Sequence, residues 1–153
     1  MSGLNKRASV WLARAAGACV LLGMCVFAVG RVKAQQTQEP APPWVAPEDA
    51  KKVKNPVAAT PENLMNAEQL FMDNCLLCHG EKGAGDGPGA KTIKYKPANF
   101  TDPKLQASES DGTLFWKMTN GRGPMPSWRD TLTDQERWQL VNYIRKLGKD
   151  AKK

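Results

Sequence analysis

The chain has 153 residues, with 22 Lys or Arg against 15 Asp or Glu, one histidine, four cysteines and 11 prolines. That length suits one domain. The formal charge of +7 overstates the basicity of the folded part: Lys6, Arg7, Arg14, Arg31 and Lys33 lie in residues 1–34, which hold no acid, and without them 17 basic residues face 15 acidic ones. A basic leader ahead of a nearly neutral domain excludes nucleic-acid binding as the reading of that charge. Cys19 and Cys25 sit in an apolar N-terminal run while Cys75 and Cys78 stand three apart, so a disulfide scaffold is excluded as well.

Three positive charges in residues 1–14 precede an uncharged run from Ala15 to Gly30, the order of a targeting segment. Two readings of residues 1–34 stand side by side. Val32-Lys33-Ala34 offers a signal-peptide cleavage site, whereas Arg31 and Lys33 directly after the apolar run fit a retained anchor. Residues 9–30 are interrupted only by Arg14 and approach the ~20 residues a membrane-spanning helix needs. Either reading sends the following domain to the periplasmic side of the cytoplasmic membrane, soluble if cut after Ala34 and anchored if not. Residues 35–61 are rich in Gln, Pro and Ala, a composition that predicts an extended linker unable to bury a core.

Thr60 as N-cap, Pro61 in the first turn and Glu62 behind it predict the start of a helix. Leu64, Ala67, Leu70 and Phe71 then recur at helical spacing up to Cys75. Five glycines between Gly80 and Gly89 mark a loop. A shorter helix is expected over Asp111–Thr119, capped by Ser110 and stopped by Asn120-Gly121. Gly123-Pro124-Met125-Pro126 reads as loop. A Thr133/Glu136 capping box opens a last helix that runs to Leu147-Gly148, with Trp138, Leu140, Val141, Tyr143, Ile144 and Leu147 on its buried face. Residues 62–149 thus form an all-α domain, followed by a basic tail at 150–153. Its few helices are too little to fill a core unless a bound group occupies the centre.

Cys75-Leu76-Leu77-Cys78-His79 identifies that group. C-x-x-C-H is the attachment signature of a c-type haem: both thiols reach the haem vinyl groups as thioethers, and the adjacent imidazole supplies an iron ligand. A thioredoxin-like pair needs a β-α-β surround, and zinc needs a further ligand that no other Cys or His beyond the leader provides. The glycine loop lacks the Gly-Lys-Ser/Thr of a phosphate cradle. With one histidine there is one haem, without bis-histidine ligation. Among the methionines, Met65 and Met72 precede the motif and Met118 reads as core. Met125, held between two prolines, is the candidate sixth ligand.

On these residues the domain resembles a class I (mitochondrial-type) monohaem cytochrome c, and most closely the small c-type subunits of bacterial respiratory complexes. Ala67 and Phe71 match the small and aromatic pair of that family's first helix. Leu140 and Tyr143 match the last-helix pair that crosses it, and residues 120–126 match its methionine loop. The resemblance implies short helices wrapped around one covalent haem c held by Cys75, Cys78, His79 and Met125. It also implies that the Pro88 carbonyl, in Gly85-Asp86-Gly87-Pro88, accepts the His79 ring N–H. Arg122 and Trp128, flanking the methionine loop, are candidate partners of the haem propionates.

The expected function is single-electron transfer as a subunit or close partner of a membrane complex rather than as an enzyme. Its redox partners are a quinol-oxidising complex, a terminal oxidase or another cytochrome. Lys91, Lys94, Lys96 and Lys104 form either a solvated face or a surface that steers an acidic partner. The alternative is a haem with an open sixth site that binds gas or peroxide.

Overall fold

The structure, a computed structural model, describes residues 42–153. The targeting segment and the first part of the linker lie outside the described residues. Six α-helices occur in that span: α1 (Glu48–Lys52), α2 (Pro61–Asn74), α3 (Leu76–His79), α4 (Pro103–Ser108), α5 (Asp111–Asn120) and α6 (Asp134–Asp150), with a 3-10 turn at Pro88–Thr92. No strand occurs among the described residues, and the one ladder-like pairing is an isolated bridge between Arg122 and Met125.

The caps read from sequence set the helix starts. The Thr60 hydroxyl accepts from Asn63 N–H and Ser110 Oγ accepts from Thr113 N–H. At α6 the capping box is reciprocal: Thr133 Oγ1 accepts from Glu136 N–H while Glu136 Oε2 accepts from Thr133 N–H at 2.7 Å. Each such cap satisfies a donor that the first helical turn leaves unpaired. The C-terminal end of α6 differs from expectation. Gly148 does not stop the helix but lies inside it, where Gln106 packs so closely that a Cβ would meet its side chain at 2.5 Å.

The core forms where α2 crosses α6. Ala67 is fully buried at that crossing, and its small side chain lets the helices approach. Phe71, 1% exposed, lies 5.3 Å from the Tyr143 ring and 6.3 Å from Phe100. Leu140 and Val141 close the same layer. Full burial of such side chains contributes about 1.5–3 kcal/mol each through apolar transfer. Phe115 stacks on Trp138 at 4.0 Å and joins α5 to α6.

The linker reading needs correction from residue 42 onward. Ala46 is 2% exposed, α1 packs on α5, and Val57 lies against the core. Gly112 permits this contact, since a Cβ there would stand 2.0 Å from the Ala50 carbonyl oxygen. Asn55 Nδ2 donates to Trp138 O and Asn142 Oδ1, and Asn142 Nδ2 donates back to Val57 O at 2.9 Å. Proline-rich composition sets an extended backbone, but these apolar and amide side chains give that backbone a surface to bind.

Candidate functional site

Helix α2 ends at Asn74, and the motif follows as the single turn α3, tied back by Cys75 N–H to Phe71 O and His79 N–H to Cys75 O. The two cysteines are half-buried, and both face a cleft of about 410 Å³ with His79. That volume falls in the range of cofactor sites, roughly 300–1,000 Å³. Burial, then the neighbouring Cys78, pushes the Cys75 thiol up to about 12.

Glycines at positive φ (Gly80, Gly83 and Gly85) fold the next loop back onto the motif, with Gly85 N–H donating to His79 O and Gly87 N–H to Cys78 O. Phe100 N–H then donates to Gly83 O at 2.7 Å, bringing residues 96–100 beside the imidazole. His79 stacks on Phe100 at 4.5 Å, and its Nδ1 lies 3.1 Å from Ala98 O. Burial pushes the imidazole below its ordinary value, and the bond to the Ala98 carbonyl opposes that shift. With Nδ1–H donated to Ala98, Nε2 is the nitrogen left for a ligand role.

This arrangement corrects the expectation for Pro88. The loop returns so that Gly89 lies against Leu77, and Pro88 opens the 3-10 turn without lining the cleft. The acceptor is Ala98, ten residues later, after Pro97. Its signal in the sequence was slight: Pro97 followed by Asn99, whose Oδ1 accepts from Thr101 N–H in a tight turn.

Met125 also lines the cleft and is partly buried. Of the four methionines in the described residues it alone does so: Met118 is core, Met65 is 65% exposed and Met72 is absent from the cleft wall. Its loop is anchored at both ends by hydrogen bonds. Arg122 N–H donates to Met125 O and Met125 N–H to Arg122 O, closing a two-residue turn over the cis Gly123–Pro124 peptide. Ser127 Oγ donates to Thr119 O, and Trp128 N–H donates to Met118 O.

Trp128 and Arg122 both line the cleft. The structure gives Arg122 partners that the sequence reading did not include: its Nη1 donates to Pro42 O at 2.9 Å and Pro43 O at 3.4 Å, and its guanidinium covers the Trp44 ring. Pro42, Pro43 and Trp44 are themselves part of the cleft wall. The sequence reading missed them; a tryptophan inside a proline-rich, polar stretch is the feature that could have pointed to them.

The fit to a haem c rests on this donor set. Two thiols three apart, an imidazole with one nitrogen anchored and a thioether meet in one cleft. Lys96, Lys117 and Arg122 are on its wall and no carboxylate is, although Lys117 Nζ is paired with Glu109 Oε1 at 2.6 Å; a cationic wall suits a group bearing two propionates.

Comparison with known proteins agrees with this geometry. The sequence model described as cytochrome c oxidase, cbb3-type, subunit III matches residues 62–144, more than half of the chain. The cbb3-type cytochrome c oxidase subunit FixP of Azorhizobium caulinodans is 35% identical over 91 residues, 58% of this chain and 28% of that protein. The corresponding subunit CcoP of Azospirillum sp. (strain B510) is 31% identical over 61% of this chain and 32% of its own length. Chloroplastic cytochrome c6 of Chlamydomonas reinhardtii is 26% identical over 61% of each protein. This chain therefore spans about a third of the oxidase subunits it matches. Among solved structures, the Kuenenia stuttgartiensis reducing HAO-like protein complex Kustc0457/Kustc0458 aligns with a TM-score of 0.55 and 31% identity, covering 62% of this chain and 49% of that one. The attachment motif, the helix crossing behind it and the match over residues 62–144 lead to one conclusion: the chain belongs to the cbb3-type cytochrome c oxidase subunit III family and is a class I monohaem c-type cytochrome.

Proposed function

We propose that this protein is a one-electron carrier of a respiratory chain, working as a subunit or close partner of a membrane complex, with His79 and Met125 as the residues that would ligate its haem iron. The observation that carries this reading is the placement of Met125 as the one methionine, among those described, in the cleft that holds the attachment motif. The covalent haem supplies the one-electron iron couple.

The chain's own residues hold that couple ready. Cys75 and Cys78 would tether the group, and the Ala98 carbonyl holds the His79 ring through Nδ1, leaving Nε2 to the iron. The doubly bonded Arg122–Met125 turn would hold the thioether toward the iron. A His and Met pair also raises the reduction potential. The relatives named as oxidase subunits support delivery to a terminal oxidase. No helix among the described residues is long and apolar enough to cross a membrane; the membrane association proposed here is through residues 9–30.

Met125→Ala in the haem-loaded protein tests the assignment. Loss of the sulfur-to-iron charge-transfer band of the oxidised protein, with haem still attached, is expected. Retention of the band, or rapid CO binding by the reduced wild-type protein at neutral pH, would move the reading to another ligand or to an open sixth site.

A further inference from the structure

The family match begins at residue 62, yet part of the cleft wall lies ahead of it. That preceding segment is anchored at two places: α1 presses on Gly112, and the Asn55–Asn142 pair clamps residues 55–57 to α6. From these anchors the chain extends back through buried Ala46 to Trp44, beside the methionine loop. The Trp44 ring meets Trp116 edge-on at 6.3 Å and lies 4.8 Å from the Arg122 guanidinium and 5.6 Å from Lys117 Nζ. Arg122 then reaches back to the Pro42 and Pro43 carbonyls. The same residue makes both backbone bonds to Met125. One residue therefore touches both: the Arg122 side chain holds a segment outside the family domain, and its backbone bonds the residue read here as a haem ligand.

We propose that residues 42–44 act as a strap that positions Met125 and shields the Met125 side of the haem cleft, with Trp44 and Arg122 as positioning residues. The proposal rests on the reading of Met125 as axial ligand. Two chemical features support it. A cation over an indole face is held by the ring quadrupole. Pro42 and Pro43 carry carbonyls but no N–H, so they present acceptors to the guanidinium with a restricted backbone. The pair thus closes the cleft by contacts that aromatic, cation and proline each supply.

Opening the strap should raise the fraction of molecules in which an external ligand displaces Met125. The apparent affinity of that ligand rises with the open fraction. The test uses the full-length, haem-loaded protein with Trp44→Ala, Trp44→Phe and Arg122→Gln. Imidazole is titrated into the oxidised protein, and the sulfur-to-iron band and midpoint potential are recorded. Trp44→Ala and Arg122→Gln should each raise apparent imidazole affinity by roughly two- to fivefold and lower the midpoint potential, and Trp44→Phe should keep most of both at the wild-type level. Wild-type imidazole affinity and potential in the first two variants would overturn the strap. If Trp44→Ala fails to accumulate, Arg122→Gln and Trp44→Phe carry the same comparison. Retention of the band in Met125→Ala would instead overturn the axial assignment, and the strap's action on it, whatever the Trp44 variants show.

Discussion

Arg137 sits near the start of α6, where sequence alone places an ordinary exposed helix residue, yet it is 4% exposed. Its Nη1 donates to the carbonyls of Trp128 (2.8 Å), Arg129 (2.9 Å) and Leu132, and Nη2 pairs with Asp134. The guanidinium also lies over the Phe115 ring at 5.3 Å. It gathers the whole turn that follows the methionine loop. Arg137→Met keeps the bulk of the stem and removes the donors. Nη1 has two protons for three acceptors, so two bonds of about 1.5–3 kcal/mol each are the upper count. Water recovers part of this at Arg129, which is exposed, and Asp134 is 80% exposed, so that ion pair adds little. The cation–π contact adds about 0.5–1 kcal/mol. The expected loss is about 3 kcal/mol, read from urea unfolding of the haem-loaded protein with an unchanged denaturant slope. Arg129→Gln is the control: exposed and bonded only to Asn120 Oδ1, it should change stability by about 0.5 kcal/mol or less. A loss below about 1 kcal/mol in Arg137→Met would refute the argument, because the three carbonyls would then have found other donors at little cost.

Two further predictions concern the packing around the site. Gly112→Ala places a Cβ 2.0 Å from the Ala50 carbonyl and 2.8 Å from the Val53 carbonyl, so α1 must shift; a loss of about 1–3 kcal/mol and faster proteolysis before residue 58 are expected in limited digestion. Burial, then the Glu68 carboxylate, pushes the Tyr143 phenol up to about 12. The folded state therefore holds this proton more tightly than the unfolded chain. The associated stability is complete below the unfolded phenol value near 10 and is lost as pH rises toward 12. Tyr143→Phe should flatten the fall in urea midpoint across that window relative to wild type, and parallel pH curves would refute it.

Much of this protein was legible in its sequence because the relevant physics is local. Helix starts depend on a cap within three residues, so Thr60, Ser110 and Thr133 predicted them directly. Covalent haem attachment depends on two thiols and an imidazole on one turn, so five consecutive residues identified the cofactor. The single histidine and the proline-flanked Met125 narrowed the candidate ligands by chemistry alone. Three matters required the tertiary structure, because each depends on what the chain brings together across long separations. The Ala98 carbonyl reaches His79 only because the glycine loop folds back and Phe100 bonds to Gly83. Arg137 is buried only because the turn at 128–132 closes over it with carbonyls. Trp44, 78 residues ahead of Arg122 in a stretch whose composition reads as linker, becomes part of the cleft wall only through the contacts at Gly112 and Asn142 that hold its segment in place. Composition governs how a backbone behaves alone, and a neighbouring surface decided where this one lies.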